Sequence, residues 1–219
     1  MNRQKTLYHL VVDKSGSMSS CSKQTIEGFN AQIARIRSLS VEFPDQEVSV
    51  GLTLFDDKVE SLYSAKAAEH CPDLNAKTYE PGGSTALLDA IGMTIQRLEK
   101  AKAEAEMTQP ATVVMVIITD GHENASRMHN FKEVSDRIAA LQETGQWTFT
   151  YLGATLDAAQ VGESLKIDQR NNRFFKKEAI GREVFDEVSD SMRQYMLKKR
   201  KGEDLNDFYG KTDNDQTQP

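Results

Sequence analysis

The stretch HLVVDKSGSMSS, residues 9–20, passes from an apolar run directly into an aspartate, a glycine and several serines. We predict a β-strand over Thr6 to Val12, so that Asp13 stands at its tip. Apolar residues then recur every three or four positions from Ile26 to Leu39, which predicts one buried face of a helix. A strand followed directly by a helix is the first half of an α/β unit.

Later segments continue this alternation of strand and helix patterns. Further strands are predicted at residues 48–54, 59–62, 112–118, 147–153 and 172–177. Further helices are predicted from residue 86 onward and at residues 131–141, 157–165 and 184–195. We therefore expect an α/β fold with a doubly wound, mostly parallel central sheet, one antiparallel edge strand at 59–62, and helices on both faces.

The segment TVVMVII, residues 112–118, is apolar without alternation, which suits a central strand covered on both faces. We expect one domain over residues 1–200. The remaining residues, 201–219, are polar in composition and are expected to form a disordered tail.

The composition is that of a soluble globular protein. Of 219 residues, 38% are hydrophobic and 27% are charged, and the formal net charge is −6. An acidic chain has no general attraction to nucleic acid or to an anionic membrane. The first apolar run breaks at Asp13, too early for a secretory signal, and no stretch has the ~20 apolar residues of a membrane span. We expect a cytoplasmic protein in which Cys21 and Cys71 are free thiols.

Oxygen-bearing side chains gather at the predicted strand tips. Asp13, Ser15 and Ser17 form a D-x-S-x-S pattern, Thr85 follows two glycines in PGGSTALLDAI (81–91), and Asp120 ends the central strand in ITDG (118–121). The carboxyl ends of parallel strands share one edge of a sheet, so these groups are expected to meet there. All five are hard oxygen donors, which favour Mg²⁺, Mn²⁺ or Ca²⁺ over softer metals.

The charge balance of this donor set indicates an open site rather than a closed structural one. Three of the five groups are neutral hydroxyls, so at most two carboxylates balance a divalent cation. If those carboxylates act through water, the cation keeps enough positive charge to attract an acidic group from another molecule. The pattern therefore favours a receptor for a carboxylate of a partner.

These residues, in this order, resemble the von Willebrand factor type A family. Its metal-ion-dependent adhesion site carries D-x-S-x-S, then a threonine, then an aspartate, which this chain matches at Asp13, Ser15, Ser17, Thr85 and Asp120. The resemblance covers roughly residues 5–195, although its motifs lie in the first 125. DKSGSM, GGSTALLDAI and ITDG are each similar to segments of intracellular bacterial members.

The resemblance implies a function as well as a fold. It implies that the hydroxyls coordinate Mg²⁺ (or Mn²⁺) directly, that the aspartates do so directly or through water, and that a partner's Asp or Glu fills an open position. Neighbouring residues are then candidates for contact with the partner: Gly83, Ser84, Gly121, His122 and Glu123. Intracellular relatives also suggest a subunit that works beside an AAA+ ATPase, a chelatase or a stress-resistance complex, an analogy of family alone.

Plainer interpretations exist for each motif. Asp13 and Ser15 could only cap the next helix, Thr85 could be an ordinary N-cap, and Asp120 with Gly121 could form a simple turn. His122 and Glu123 could be solvated loop residues. None of these explains why the three motifs occur together at strand ends.

An enzymatic interpretation has less support in the sequence. A Mg²⁺-dependent phosphohydrolase with Asp13 as its nucleophile would carry D-x-D after the first strand, where this chain has Ser15. There is no G-x-x-x-x-G-K-[ST] phosphate loop. We expect no catalytic activity. We also expect an exposed site, so that replacing Asp13 leaves the fold intact.

Overall fold

The computed structural model describes residues 4–154 and 158–210. In chain order its elements are β1 (Gln4–Asp13), α1 (Ser22–Glu42), β2 (Gln46–Phe55), β3 (Val59–Ala67), α2 (Leu87–Glu106), β4 (Ala111–Thr119), α3 (Phe131–Glu143), β5 (Trp147–Gly153), α4 (Ala158–Ser164), β6 (Asn172–Phe174) and α5 (Arg182–Lys201). The strands and helices occur in the predicted order. Residues 155–157, where a helix start was predicted, and 211–219, in the predicted tail, lie outside the described residues.

The six strands form one sheet in the order β3-β2-β1-β4-β5-β6. Every neighbouring pair is parallel except β2 and β3, which pair antiparallel at one edge. The predicted doubly wound α/β fold with one antiparallel edge strand is therefore confirmed. The chain winds outward from β1 in one direction and outward from β4 in the other, so β1 and β4 meet at the topological switch point, where such sheets bind ligands.

Helices cover both faces of the sheet. Along β1, Tyr8, Leu10 and Val12 belong to the core shared with α1 and α5, whereas Leu7 and Val11 belong to the core shared with α2 and α3. All five are at most 1% exposed, because successive side chains of a strand point to opposite faces. A strand buried on both sides holds its tip in a fixed position, which here is Asp13.

The chain returns to the core after α5. Gly202, whose φ of +70° is left-handed, caps the C-terminus of α5. Phe208 is then completely buried, with its ring centroid 6.2 Å from that of Tyr195. The Phe208 backbone N–H donates to Asn171 Oδ1 at 2.8 Å. The segment after α5 therefore packs on the same core as α5, beyond residue 200, where the predicted domain ends. The sequence prediction treated this segment as a polar tail because most of its residues are polar, although it contains Phe208 and Tyr209.

The basic segment LKKRKG, residues 197–202, also points partly inward. Lys198 and Lys199 are buried, and Lys199 Nζ donates to Lys5 O, Thr6 Oγ1 and Thr112 Oγ1 at 2.8–2.9 Å. Burial lowers the pKa of Lys199 to about 7. Lys199 thus ties α5 to β1 and β4, and Lys198 Nζ donates to Asp207 O at 2.6 Å, so neither ammonium is available to nucleic acid.

Two further sequence expectations have direct counterparts in the structure. Cys21 and Cys71 are both free and buried, as expected. Among the helices that the structure describes, none combines the length and the apolar character needed to cross a membrane.

Candidate metal centre

The tip of β1 holds the Asp13 carboxylate in a fixed orientation. The Ser15 backbone N–H donates to Oδ1 at 2.6 Å, and the Thr119 hydroxyl, at the end of β4, donates to Oδ2 at 2.5 Å. The Tyr79 hydroxyl donates to the Asp13 carbonyl oxygen at 2.6 Å. Asp13 is therefore positioned by groups from its own loop, from β4 and from the segment before α2.

Ser17 connects the loop after β1 to the tip of β4. Its hydroxyl oxygen lies 3.1 Å from that of Ser15, and it donates to Asp120 Oδ1 at 2.5 Å. Ser15 and Asp120 therefore both contact the Ser17 hydroxyl group. Ser15, Ser17 and Asp120, three of the five predicted ligand residues, are thus linked by consecutive polar contacts.

Thr85 reaches the same place from the segment that leads into α2. Its N–H donates to Asn124 Oδ1 at 2.9 Å and its carbonyl accepts from the Asn124 N–H at 3.1 Å, which fixes it against the loop after β4. A methyl group added to Gly121 would lie 2.8 Å from Thr85 Oγ1 and 3.4 Å from Asp13 Oδ2. Thr85 and Asp13 therefore face the same glycine, and the structure brings all five predicted ligand residues to one edge of the sheet.

Two glycines hold the segment before Thr85 against the loop after β1. Gly82 N–H donates to Lys14 O at 2.9 Å, and Gly16 N–H donates to Gly83 O at 3.1 Å. Gly83 has a φ of +68°, and a Cβ placed on it would lie 2.3 Å from Asp57 Oδ1. Gly83 therefore has a conformational reason to be glycine.

We expect Gly83→Ala to lower the free energy of unfolding by about 1–2 kcal/mol, the cost of a left-handed backbone for a residue with a Cβ. The exposed Asp57 side chain would also have to rotate away. Gly82→Ala is the matched control, since no atom lies within 4 Å of its Cβ position. Urea denaturation of both variants measures the difference. Equal losses would contradict the role given to Gly83.

The sequence predicted an exposed site, but the structure places the site in a recess. Asp13, Ser15, Thr85 and Asp120 are at most 9% exposed, and only Ser17 among the five is exposed. Burial raises the pKa of Asp13 to about 6, although hydrogen bonds from Thr119 and Ser15 oppose that rise. The nearby Asp120 charge adds slightly to the rise in the pKa of Asp13, and a cation bound beside Asp13 would oppose that rise.

The five residues predicted to contact a partner occupy two different environments. Gly83, Ser84 and His122 are exposed at the rim, and Gly121 is partly exposed. The Glu123 carboxylate, in contrast, accepts hydrogen bonds from the N–H groups of Leu88, Ala125 and Ser126 at 2.8–3.0 Å. Its oxygens cap the start of α2 and order its own loop, so the structure gives Glu123 an internal role.

Asp89 makes the reciprocal connection from α2 to the loop after β4. Its carboxylate accepts from the N–H groups of Arg127, Met128 and His129 at 2.8–2.9 Å. Burial raises the pKa of Asp89, but the hydrogen bonds from these backbone N–H groups outweigh burial and leave the pKa below its ordinary value. Glu123 and Asp89 together fix the loop that begins with Asp120. Sequence reasoning missed Asp89, and its one signal was an acidic residue in the first turn of a helix.

A lysine that the sequence did not single out enters the site from the C-terminal half. Lys177 belongs to a 3₁₀ turn, Lys177–Ala179, between β6 and α5. Its ammonium lies 2.5 Å from Asp120 Oδ2 and also contacts the Ser17 carbonyl oxygen. The carboxylate of Asp120 is thus paired with an internal cation.

The donor chemistry of the site fits a hard divalent cation. Across residues 4–154 and 158–210, no group of three or more His, Cys, Asp or Glu side chains is arranged to hold a metal. Hydroxyl and carboxylate oxygens remain as the donors at the β1–β4 switch point. Such oxygens suit Mg²⁺ or Mn²⁺, which keep water ligands when protein supplies only part of the coordination shell.

Comparisons with known proteins agree with the architecture. A family model described as the von Willebrand factor type A domain matches residues 9–187, a span that contains all five candidate ligands. No curated protein sequence matches the chain.

Solved structures with similar folds come from several organisms. The ArnB paralog VWA2 from Sulfolobus acidocaldarius is 15% identical with a TM-score of 0.53, and the match covers 87% of this chain and 45% of that one. A von Willebrand factor type A protein from Catenulispora acidiphila is 13% identical, with a TM-score of 0.55 and coverage of 88% and 43%. The vWF domain of the type V pili tip protein Mfa5 from Porphyromonas gingivalis is 10% identical, with a TM-score of 0.59 and coverage of 88% and 96%. The chain spans less than half of the first two proteins, and identities this low support the fold alone.

Proposed function

Because this chain belongs to the von Willebrand factor type A family, whose fold supports protein interaction in general, we propose that it is a metal-dependent protein-binding module. It recruits an exposed Asp or Glu carboxylate of a partner protein to a Mg²⁺ or Mn²⁺ ion. Ser15, Ser17 and Thr85 would hold the cation through their hydroxyls, and Asp13 and Asp120 would hold it directly or through water. The module is not an enzyme.

The observation that carries this proposal is the meeting of three loops at the switch point between β1 and β4. Ser17 contacts both Ser15 and Asp120, and Thr85 and Asp13 face the same glycine. When bound, the cation supplies a positive charge with an open coordination position that attracts an anionic oxygen. Neutral hydroxyls leave that charge largely uncompensated, which favours an acidic ligand from outside.

The chain's own residues prepare the site before any partner arrives. The donors to Asp13 hold both its oxygens in place, and the loop after β4 is fixed by Glu123 and Asp89. The rim residues Gly83 and Ser84 are exposed beside the recess. An acidic side chain of the partner would approach the cation from this exposed rim.

Two alternative functions are a Mg²⁺-dependent phosphohydrolase and a subunit that works beside an AAA+ ATPase. A phosphohydrolase would need Asp13 as a nucleophile, yet Asp13 is fully buried and both its carboxylate oxygens accept hydrogen bonds from the chain. That arrangement favours a positioning role for Asp13. That the partner is an AAA+ ATPase stays a prediction. In that case the ATPase would bind at the same metal site.

A capture experiment tests the proposed function. The full chain is immobilised and exposed to a lysate of its source cells with Mg²⁺ or with EDTA, and captured proteins are identified by mass spectrometry. We expect capture that EDTA abolishes, that added Mg²⁺ restores, and that Ser17→Ala loses while the exposed neighbour Ser20→Ala keeps. Capture of the same proteins in EDTA by the wild type and by Ser17→Ala alike would overturn the proposal.

A further inference from the structure

The Asp120 carboxylate makes one hydrogen bond and one ion pair within the chain itself. Its Oδ1 accepts from the Ser17 hydroxyl at 2.5 Å, and its Oδ2 lies 2.5 Å from the Lys177 ammonium. The Asp120 side chain is only 2% exposed, whereas the Lys177 side chain is 32% exposed. The carboxylate is therefore buried beneath a cation that solvent can still reach.

A buried carboxylate needs a nearby positive charge, because an unpaired charge away from water carries a large desolvation penalty. In this structure Lys177 supplies that charge. The same ammonium contacts the carbonyl oxygen of Ser17, a second residue of the candidate metal centre. Lys177 thus contacts two of the five residues that would hold a divalent cation.

We propose that Lys177 is an exchangeable counter-cation of the metal centre, so that its ammonium and a divalent cation compete for Asp120. This inference rests on the proposed metal site. A lysine ammonium and a divalent cation held by the same buried carboxylate lie a few ångströms apart and repel each other strongly. A lysine suits such an exchange, because it is a compact charge on a flexible stem and has solvent within reach.

Competition has two consequences that a structural ion pair would lack. Lys177 lowers the apparent affinity of the site for divalent cations, since each binding event must first break its contact with Asp120. Binding of the cation also releases the Lys177 side chain to solvent, where an acylating reagent can reach the neutral amine with which the ammonium is in equilibrium. In the absence of metal, Lys177 keeps Asp120 neutralised and the loop after β1 attached through Ser17.

The test compares the full wild-type chain with Lys177→Met and Lys176→Met. Lys176 is the exposed neighbour, so its replacement removes the same charge from nearly the same place. In a Mn²⁺ titration followed by electron paramagnetic resonance, we expect Lys177→Met to bind about tenfold more tightly than Lys176→Met, on the order of one partly buried ion pair. In the wild type, Mg²⁺ should increase acetylation of Lys177 and leave that of Lys176 unchanged, as read by peptide mass spectrometry.

The outcomes separate this inference from the proposed function. The proposed competition would be wrong if the two variants bound Mn²⁺ equally well and Mg²⁺ did not change the acetylation of Lys177. The proposed metal site would be unaffected by that result. No Mn²⁺ binding by any of the three proteins would overturn both. The labelling measurement uses the wild type, so it decides the matter even if Lys177→Met folds poorly.

Discussion

The Asp13→Asn variant is expected to lose affinity for Mg²⁺ and Mn²⁺ by about 100-fold or more, since even residues that only orient metal ligands are commonly worth 10–100-fold. Asparagine keeps the shape of the side chain but removes one of the two negative charges that face the candidate cation. Isothermal titration with Mn²⁺ measures the loss. Binding of an acidic partner should disappear with it.

The same substitution should leave the fold intact, although not because the site is exposed. Asp13 is buried and burial raises its pKa to about 6, so at neutral pH its negative charge is present but destabilises the metal-free domain relative to the unfolded chain. A neutral amide still accepts the hydrogen bond from the Ser15 N–H and removes the buried charge. We expect an unchanged or higher free energy of unfolding in urea.

Asp57→Asn is the matched control for Asp13→Asn. Asp57 lies in the turn after β2 and is exposed, and its carboxylate stands beside Gly83 rather than in the recess. Its replacement removes the same charge near the site and should change Mn²⁺ affinity by less than about threefold, as expected of a solvent-screened charge. Wild-type affinity in Asp13→Asn, or equal losses in the two variants, would contradict the assignment of Asp13.

Phe208→Ala is expected to destabilise the domain by about 3–5 kcal/mol, the usual cost of removing a fully buried aromatic side chain. Phe208 is completely buried and packs beside Tyr195 of α5 and Tyr209. Its removal leaves a cavity beneath the segment that returns from α5 to the sheet. Chemical denaturation followed by far-ultraviolet circular dichroism provides the measurement.

Phe174→Ala is the control for Phe208→Ala. Phe174 is 51% exposed at the end of β6, so its replacement should cost about 0.5 kcal/mol or less. If Phe208→Ala were as stable as Phe174→Ala, the segment after α5 would not be part of the folded domain, and the shorter domain predicted from the sequence would be correct.

The fold could be predicted because its signals are local. The apolar run before Asp13 and the one before Asp120 each identify a strand within a few residues, and the helical spacing from Ile26 to Leu39 identifies α1. Alternation of strands and helices then leaves little choice but a parallel sheet. The same argument predicted that Asp13 and Asp120 would share one edge, because both follow strands that point the same way.

The surroundings of the site could not be predicted because they depend on contacts between distant parts of the chain. Lys177 reaches Asp120 from a turn that carries no motif, and Asp89 and Glu123 exchange hydrogen bonds between α2 and the loop after β4. Burial of Asp13 follows from the packing of Tyr79 and Thr119 around it. None of these pairings leaves a periodic pattern in the sequence.

The C-terminal segment shows a different limit of sequence reasoning. A composition argument averages over a window, and the polar residues around Phe208 and Tyr209 outweigh them. Burial depends on the individual side chain rather than on the average, and Phe208 is completely buried in the core that α5 shares with the sheet. Lys199 is a similar case, since a basic segment at a helix end contains a lysine that hydrogen bonds inward to Thr6 and Thr112.

A crystal of the full chain grown with Mn²⁺ tests the central claim most directly. The anomalous difference map should show one ion at the β1–β4 edge, at roughly 2.1–2.2 Å from the hydroxyl oxygens of Ser15, Ser17 and Thr85. Asp13 and Asp120 should lie in its first or second coordination shell. A saturated crystal without an ion at that position, or with Mn²⁺ bound only elsewhere, would contradict the account.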